Sequence, residues 1–221
     1  MGGSQSAPEG ELSQEQAAIR AQILADGPVP TSEGQYQVQL ELCIADGTTG
    51  TLFVDVHPSW SPRGEARFRE LMEAGWYDGC KFFRVVPGFM VQFGLAAEPA
   101  KFGRQDDIPD DPVLAGNVRG RISFAHAGPN TRTNQLFINT VDNSVPGFRP
   151  YALDDKGFSA FAQVCETRGG GMALVDQINK EHGEGPDQGR IAQEGNAYLD
   201  AEFPGLSYIV SMRLADSLGA E

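Results

Sequence analysis

Strict alternation of apolar and polar residues marks the first regular stretch of the chain, residues 36–45. Apolar side chains occupy every second position from Val38 to Ile44, and mostly polar side chains lie between them. Because successive side chains of a strand point to opposite faces, this pattern predicts a half-buried strand. A Gly-containing turn at 46–50 follows, and residues 51–57 are predicted to return as the antiparallel partner.

Shorter apolar runs continue along the chain and predict further strands with few helices. Ser61-Pro62 starts a helix with Pro in its first turn, and Gly75 ends it. A second helix is predicted from Met172 to Lys180. The other predicted strands are 82–86, 89–93, 121–125, 135–140, 161–165 and 208–214, with loops at 95–119 and 141–158 and a partly helical stretch at 191–203. Many short strands with two well-separated helices predict a closed antiparallel barrel with helices at its ends.

The stretch from Phe82 to Gly94 carries the first candidate chemistry. Pro87-Gly88 predicts a tight turn between its two short strands. If these strands pair as a hairpin, Arg84 and Gln92 stand together beside large apolar side chains. An outward Arg on an edge strand is the simpler interpretation, but it does not explain a Gln in an otherwise apolar run.

A second stretch, residues 135–140, also combines amides with an aromatic ring. Leu136 and Ile138 are predicted to face one way, and Gln135, Phe137 and Asn139 the other. An aromatic flanked by amides suits a wet, ligand-facing surface better than a core. The alternative is that a neighbouring loop covers Phe137.

Together, the stretches Phe82–Gly94 and Ile122–Ile138 resemble the signature of the cyclophilin-type peptidyl-prolyl isomerases. The likeness runs from about Tyr36 to about Leu214 and rests on two long motifs rather than one short pattern. It implies a mainly β, closed eight-stranded antiparallel barrel capped by two α-helices. The chain then divides into an N-terminal extension and linker, 1–35, with helical spacing at 12–24, and a cyclophilin-like domain, 36–221.

The resemblance implies that Arg84 is the catalytic arginine and that Gln92 is the amide that holds it. An arginine stays charged at any working pH, so it can stabilise a twisted X–Pro bond without a nucleophile, metal or cofactor. The remaining implied site residues form the proline pocket or contact the substrate chain: Phe89, Met90, Ala125, His126, Gln135, Phe137, Leu153 and Phe158. The family commonly has Asn at the place of His126, and the implied contact there is through the backbone.

The loop Tyr151–Phe158 departs from the best-known members of that family, which carry a Trp and a His in this region. In this chain Leu153 matches the family. Ala152 or Tyr151 stands where those members have the Trp, and Gly157 or Phe158 stands where they have the His. Shorter, bacterial-type members are more similar. The resemblance implies a cyclosporin-like macrocycle as a ligand, but the missing Trp contact leaves that affinity open.

The net charge and the cysteine content limit which classes of partner and which cellular compartment the sequence favours. The formal net charge of −13 argues against nonspecific binding to nucleic acid. Three cysteines without a CxxC motif predict free buried thiols, and a redox-regulatory pair is the alternative. We expect a cytoplasmic monomer whose partners are proline-containing peptides or protein clients.

The sequence shows no pattern of a metal site. The acidic cluster at 106–111 lacks the EF-hand pattern and is predicted to be solvated, and the three histidines lack metal-ligand spacing.

A short motif at the N-terminus offers membrane association as an alternative cellular location. Gly2 with Ser6 fits the myristoylation pattern, and a single acyl chain would give only weak membrane association. No apolar run is long enough to span a bilayer, and the first six residues do not form a secretory signal.

Two functions follow from these observations. The first is a peptidyl-prolyl cis-trans isomerase that acts on X–Pro bonds of proteins and assists folding. The alternative is a non-catalytic module that binds proline segments, or a scaffold in a protein complex, which the altered 151–158 loop and the extra N-terminal segment motivate. The full set of implied core residues favours the enzyme.

Overall fold

Eight antiparallel strands form one curled sheet in the computed structural model, which describes residues 34–44, 47–144 and 152–216. The order of neighbouring strands is β3-β4-β6-β5-β7-β2-β1-β8. The predicted strand number and mainly β class are therefore confirmed. The strands are β1 Tyr36–Cys43, β2 Thr49–Val56, β3 Arg84–Val86, β4 Met90–Phe93, β5 Arg121–Phe124, β6 Leu136–Asn139, β7 Ala160–Gly169 and β8 Tyr208–Leu214. Apart from residues 34 and 35, the predicted extension lies outside the described residues, as does Tyr151.

The predicted closure of the barrel is overstated. Strands β3 and β8 are the two ends of the sheet order, and an isolated bridge between Lys81 and Tyr208 replaces a ladder between them. The backbone N–H of Phe82 donates to Ser207 O at 2.9 Å in the same region. Because β3 contains just three residues, it is too short to pair along β8, and the sheet forms a half-barrel with a narrow seam.

The inside of the sheet holds the main apolar core. The alternation in β1 buries Val38, Leu40 and Leu42, as the sequence predicts. Phe68 and Leu71 from the first helix pack against these side chains. Full burial of such a side chain stabilises the fold by about 1.5–3 kcal/mol, so the core fixes which face of each strand points outward.

The helices differ from the two that were predicted. They are α1 Pro62–Glu73, α2 Pro99–Phe102, α3 Gly171–Val175, α4 Gln188–Glu194 and α5 Asn196–Glu202. The first matches the prediction, the second predicted helix is shorter than expected, and α2 lies in a predicted loop. A four-residue helix is too short to produce an apolar periodicity, which explains why the sequence pattern missed α2.

The acidic loop at 106–111 is not wholly solvated, because Asp111 is buried. Its Oδ2 atom accepts hydrogen bonds from Ser61 Oγ at 2.6 Å and Gly64 N at 2.9 Å, and its Oδ1 atom accepts from Arg63 N at 3.2 Å. The guanidinium of Arg132 lies 3.1 Å from the same carboxylate. Asp111 therefore caps the start of α1 from a distant part of the chain, which local sequence signals cannot predict.

Helices α4 and α5 build a smaller apolar core outside the sheet. Ile191, Tyr198 and Leu199 pack with Phe83 and Leu95. Phe83 directly precedes strand β3, so this second core attaches the two helices to the outer side of the β3–β4 hairpin.

All three cysteines are free and buried, as the sequence predicts. No helix in the described part of the chain is long and apolar enough to cross a membrane. Within residues 34–44, 47–144 and 152–216, no group of three or more His, Cys, Asp or Glu side chains is arranged to hold a metal ion.

Candidate active site

The hairpin of β3 and β4 brings Arg84 and Gln92 together. The two residues are direct partners in the antiparallel register, and Arg84 Nη1 donates to Gln92 Oε1 at 3.1 Å. Gln92 Nε2 in turn donates to Gln135 Oε1 at 2.8 Å. A chain of side-chain hydrogen bonds therefore runs from the guanidinium of Arg84 across the surface of the sheet.

An apolar cluster lies beside this polar chain. Phe89, Met90, Phe137 and Leu153 are buried together, with Ala125 packed against them. Phe137 is only 4% exposed, and it is the direct register partner of Gln92 on β4. The side chains on the other face of the same strand, such as Ile138, fill the main core. The alternation predicted for residues 135–140 thus separates the core from the pocket.

Two stacked rings form another wall of the pocket. The His126 imidazole lies over Phe158 with ring centroids 3.9 Å apart and an interplanar angle of 19°. Phe158 meets Phe137 edge-on at 5.6 Å. Both ring nitrogens of His126 lack a hydrogen-bond partner among the described residues. Burial lowers the pKa of His126, against a smaller opposing effect of Asp110.

Buried polar side chains hold the loop that carries Leu153 and Phe158. Asn117 Nδ2 donates to Phe158 O at 2.7 Å and to Asp154 Oδ1 at 2.7 Å. The backbone N–H of Leu153 donates to Asn143 O at 2.8 Å. Burial raises the pKa of Asp154, while its hydrogen bonds from Asn117 oppose that shift. The sequence pattern gave no role to these residues, whose effect depends on contacts between distant segments.

The polar chain, the apolar cluster and the stacked rings enclose a cavity of about 310 Å³. All ten site residues that the resemblance implied line this cavity. It is also lined by Ala127, Thr131, Thr133 and Gln188. The first three lie within the stretch Ile122–Ile138 that carried the resemblance. Gln188 instead opens α4, and no sequence signal connected it with the pocket.

An ion pair at the rim of the cavity was also missed. Arg84 Nε donates to Glu184 Oε1 at 2.7 Å, and Arg84 Nη2 lies 2.5 Å from the same oxygen. The side chain of Arg84 is 31% exposed and that of Glu184 is 59% exposed. The guanidinium is therefore held between Gln92 and Glu184 at the boundary between an apolar pocket and solvent.

A second cleft, of about 560 Å³, adjoins the first and shares Thr133 and Gln135 with it. Its other walls come from Trp76, Asn134, the segment around α2 and helix α4. The two clefts together form a groove that suits an extended chain, with one apolar pocket beside a fixed cation.

The sequence of this chain is similar to those of several known proteins. The family model for the cyclophilin type peptidyl-prolyl cis-trans isomerases matches residues 41–195. The Neurospora crassa peptidyl-prolyl cis-trans isomerase-like 3 is 37% identical over 103 residues, which cover 41% of this chain and 60% of that protein. The Escherichia coli peptidyl-prolyl cis-trans isomerase B is 30% identical over 136 residues, covering 58% of this chain and 78% of that protein. The chain spans less than two thirds of the length of several curated relatives that it matches.

A solved structure gives the same result for the fold. A Cryptosporidium parvum cyclophilin type peptidyl-prolyl cis-trans isomerase superposes with a TM-score of 0.54, over 83% of this chain and 99% of that one. The sequence identity of this pair is 18%, so the likeness concerns the fold.

Proposed function

The chain belongs to the cyclophilin-type peptidyl-prolyl cis-trans isomerase family, and we propose from this premise that it catalyses rotation about X–Pro bonds in protein clients. The observation that carries the proposal is the position of Arg84, which Gln92 holds at the edge of the apolar cavity. Phe89 and Phe137 belong to the buried wall of the same cavity.

The reaction needs stabilisation of a twisted bond rather than a nucleophile. Resonance gives the peptide bond a rotation barrier of about 18–20 kcal/mol. When the bond twists, its nitrogen loses conjugation and regains a basic lone pair. A fixed N–H donor near this nitrogen stabilises the twisted state more than either planar state, which lowers the barrier. Arg84 supplies such donors, and it stays charged throughout.

The neighbours of Arg84 reduce the free energy needed to orient its guanidinium in the transition state. Its hydrogen bond to Gln92 holds the guanidinium before a substrate arrives. Gln92 is in turn held by Gln135. Donors that are already oriented need little rearrangement in the transition state, which is the source of electrostatic preorganisation.

The rest of the groove favours a proline ring within an extended chain. A cavity of about 310 Å³ lined by Met90 and Phe137 can receive an apolar ring and exclude water from it. The adjoining cleft beyond Gln135 leaves room for residues on one side of the proline. We therefore propose protein and peptide segments as substrates.

Exchange spectroscopy by NMR tests the proposal directly. We expect the wild-type protein to accelerate cis-trans exchange of a proline peptide, and Arg84→Ala to lose roughly 100-fold in kcat/KM. Arg84→Lys keeps the charge without the planar fork, so an intermediate rate is expected. A wild-type rate equal to the uncatalysed one would reject the enzyme, and equal rates for wild type and Arg84→Ala would remove Arg84 from the mechanism.

The second candidate function is a proline-segment binding module without turnover. Its support is the sequence of the loop that carries Leu153 and Phe158, which departs from the best-known family members, together with the extra N-terminal segment 1–35. Chemical-shift changes at the pocket on addition of the proline peptide, without faster exchange, would favour this function over the enzyme.

A further inference from the structure

The segment between α3 and β8 reaches the pocket from outside the sheet. Its two helices bury Ile191, Tyr198 and Leu199 in the smaller core, where Tyr198 is 4% and the other two are each 1% exposed. Their partner Phe83 is also 1% exposed and directly precedes Arg84 in the chain. The burial of these side chains attaches the whole segment to the strand that carries Arg84.

The loop before α4 is held at several points. Gly183 O accepts a hydrogen bond from Val85 N at 3.0 Å, which ties the loop to strand β3. His182 Nε2 lies 2.8 Å from Pro204 O on the far side of α5. Asp187 caps α4 by accepting a hydrogen bond from Arg190 N at 2.8 Å. Residues 183–187 therefore have a fixed course along the edge of the pocket.

Glu184 lies within this fixed loop and forms an ion pair with one edge of the Arg84 guanidinium. A single oxygen, Oε1, contacts both Nε and Nη2, while Gln92 holds Nη1 on the other side. Because each terminal nitrogen of a guanidinium carries a second N–H, one donor on Nη1 and one on Nη2 stay available to a substrate. The pair thus orients Arg84 without using all of its donors.

An arginine side chain that is 31% exposed would otherwise populate several rotamers. Holding it before the substrate binds removes part of the entropy cost of reaching the twisted state. The carboxylate also lowers the net positive charge near the pocket, but Glu184 is 59% exposed and solvent screens this effect. Because both effects act through the same partly exposed pair, the kinetics of Glu184 variants decide which of the two is larger.

We propose that Glu184 is a positioning residue, which holds the Arg84 guanidinium from the side opposite Gln92 in the orientation that isomerisation requires. The role rests on the proposed isomerase function. The packing of the α4–α5 segment against Phe83 and the hydrogen bond between Val85 and Gly183 hold the loop that carries Glu184 beside Arg84.

Kinetics of three variants test the role. We expect Glu184→Ala to lower kcat/KM by roughly three- to fivefold, because the pair is partly exposed. The loss should be mainly in kcat, because the donors act mainly in the twisted state. Glu184→Gln keeps an acceptor for Arg84 and should recover most of the rate. Glu181→Gln removes an exposed carboxylate from the same loop and serves as the control with wild-type kinetics. A Glu184→Ala rate equal to or above that of wild type would overturn the proposal.

A double variant separates positioning from general damage to the fold. If Glu184 acts through Arg84, adding Glu184→Ala to Arg84→Ala should change the residual rate by less than about 1.5-fold. A further three- to fivefold loss in that background would mean that Glu184 acts elsewhere, and it would contradict the proposal.

The Arg84 Nε–H signal in NMR gives a readout that does not depend on catalysis. This signal is assigned by its absence in Arg84→Ala. Its exchange with water should be slowed in wild type and Glu184→Gln and become several-fold faster in Glu184→Ala. Slowed exchange in a wild-type protein without isomerase activity would reject the proposed function alone. Unchanged exchange and unchanged kcat/KM in an active Glu184→Ala variant would reject the positioning role alone.

Discussion

His126 joins the pocket wall as a stacked ring without a hydrogen-bond partner in the described part of the chain. Its neighbours of opposite charge are Asp110 and Arg132, whose effects on its pKa oppose each other, and burial adds the largest effect. Desolvation therefore disfavours the charged imidazolium more strongly than either neighbouring charge changes its pKa. The stability of the fold should therefore depend on pH through the titration of His126.

The pH prediction concerns the free energy of unfolding of wild type and His126→Asn. Because the pKa of His126 is lowered from 6.5 in the folded state, the unfolded chain takes up its proton first as the pH falls. The free energy of unfolding of wild type should therefore decrease below about pH 6.5, and the decrease should stop once the folded state is protonated too. The Asn variant lacks this contribution.

Urea unfolding at several values from about pH 7.5 to about pH 5 measures the difference. We expect wild type to lose stability relative to His126→Asn toward the acidic end of this range. Parallel curves for the two proteins would contradict the inferred desolvation of the imidazole.

Among the elements, the β3–β4 hairpin determines the site, and its exit depends on Gly94. This glycine has φ +105, and a Cβ atom there would lie 2.4 Å from Asn134 O and 3.0 Å from Gln135 Cα. Its carbonyl also accepts the indole N–H of Trp76 at 2.8 Å. The close approach allows β4 and the segment before β6 to place Gln92 beside Gln135. Only glycine fits both the φ angle and the space.

Gly94→Ala should therefore destabilise the fold and displace Gln135. The matched control is Gly103→Ala, since Gly103 also has positive φ, +70, but has nothing within 4 Å of an added Cβ. We expect Gly94→Ala to reduce the free energy of unfolding by about 2 kcal/mol more than Gly103→Ala. Chemical denaturation measures both variants, and equal losses would show that the close contact carries no cost.

Local pattern predicted the elements that are long or strictly alternating. Strand β8 agrees with the predicted 208–214, and α1 begins at the predicted Pro62 and ends before Gly75. The stretch at 191–203 resolved into two helices because Gly195 has φ +60 and its added Cβ would lie 2.2 Å from Ala97 O. Gly195 is itself a local sign of a break, but the contact that excludes a side chain there comes from Ala97, about a hundred residues earlier.

At the scale of the whole molecule, Asp111 connects parts of the chain that are far apart in sequence. It joins the start of α1 to Arg132, which follows β5 and is 1% exposed. The buried carboxylate and guanidinium are compensated by each other and by hydrogen bonds from Ser61 and Gly64. Arg132 Nε also lies 3.4 Å from Asp110 Oδ1, and Asp110 is more exposed than Asp111. Removing Asp111 therefore leaves the buried guanidinium with this longer and weaker ion pair.

We expect Asp111→Ala to reduce the free energy of unfolding by about 3–5 kcal/mol. Asp107→Ala removes an exposed carboxylate from the same loop and should change stability by less than about 0.5 kcal/mol. Thermal or urea unfolding compares the two variants. A loss for Asp111→Ala as small as that for Asp107→Ala would mean that the buried pair contributes nothing net.

The sequence by itself determined which side chains share a strand face, because that depends only on alternation along the backbone. Arg84 beside Gln92, and Phe137 on the face opposite Ile138, follow from this rule once the strands pair. Residues such as Phe89 and Leu153 were carried over from the resemblance, and the fold brings them to the same cavity.

Only the tertiary structure decided which distant segments complete the site. Gln188 lines the pocket and Glu184 contacts Arg84 at its rim because α4 and α5 pack against Phe83. Asp111 caps α1 from 50 residues beyond Ser61. Such contacts form because distant segments bury apolar surface against each other. A short window of sequence does not show which segments will do so. The tertiary structure also left the sheet open at the seam between β3 and β8, because the three-residue β3 is too short to pair along β8, whereas the pattern had predicted a closed barrel.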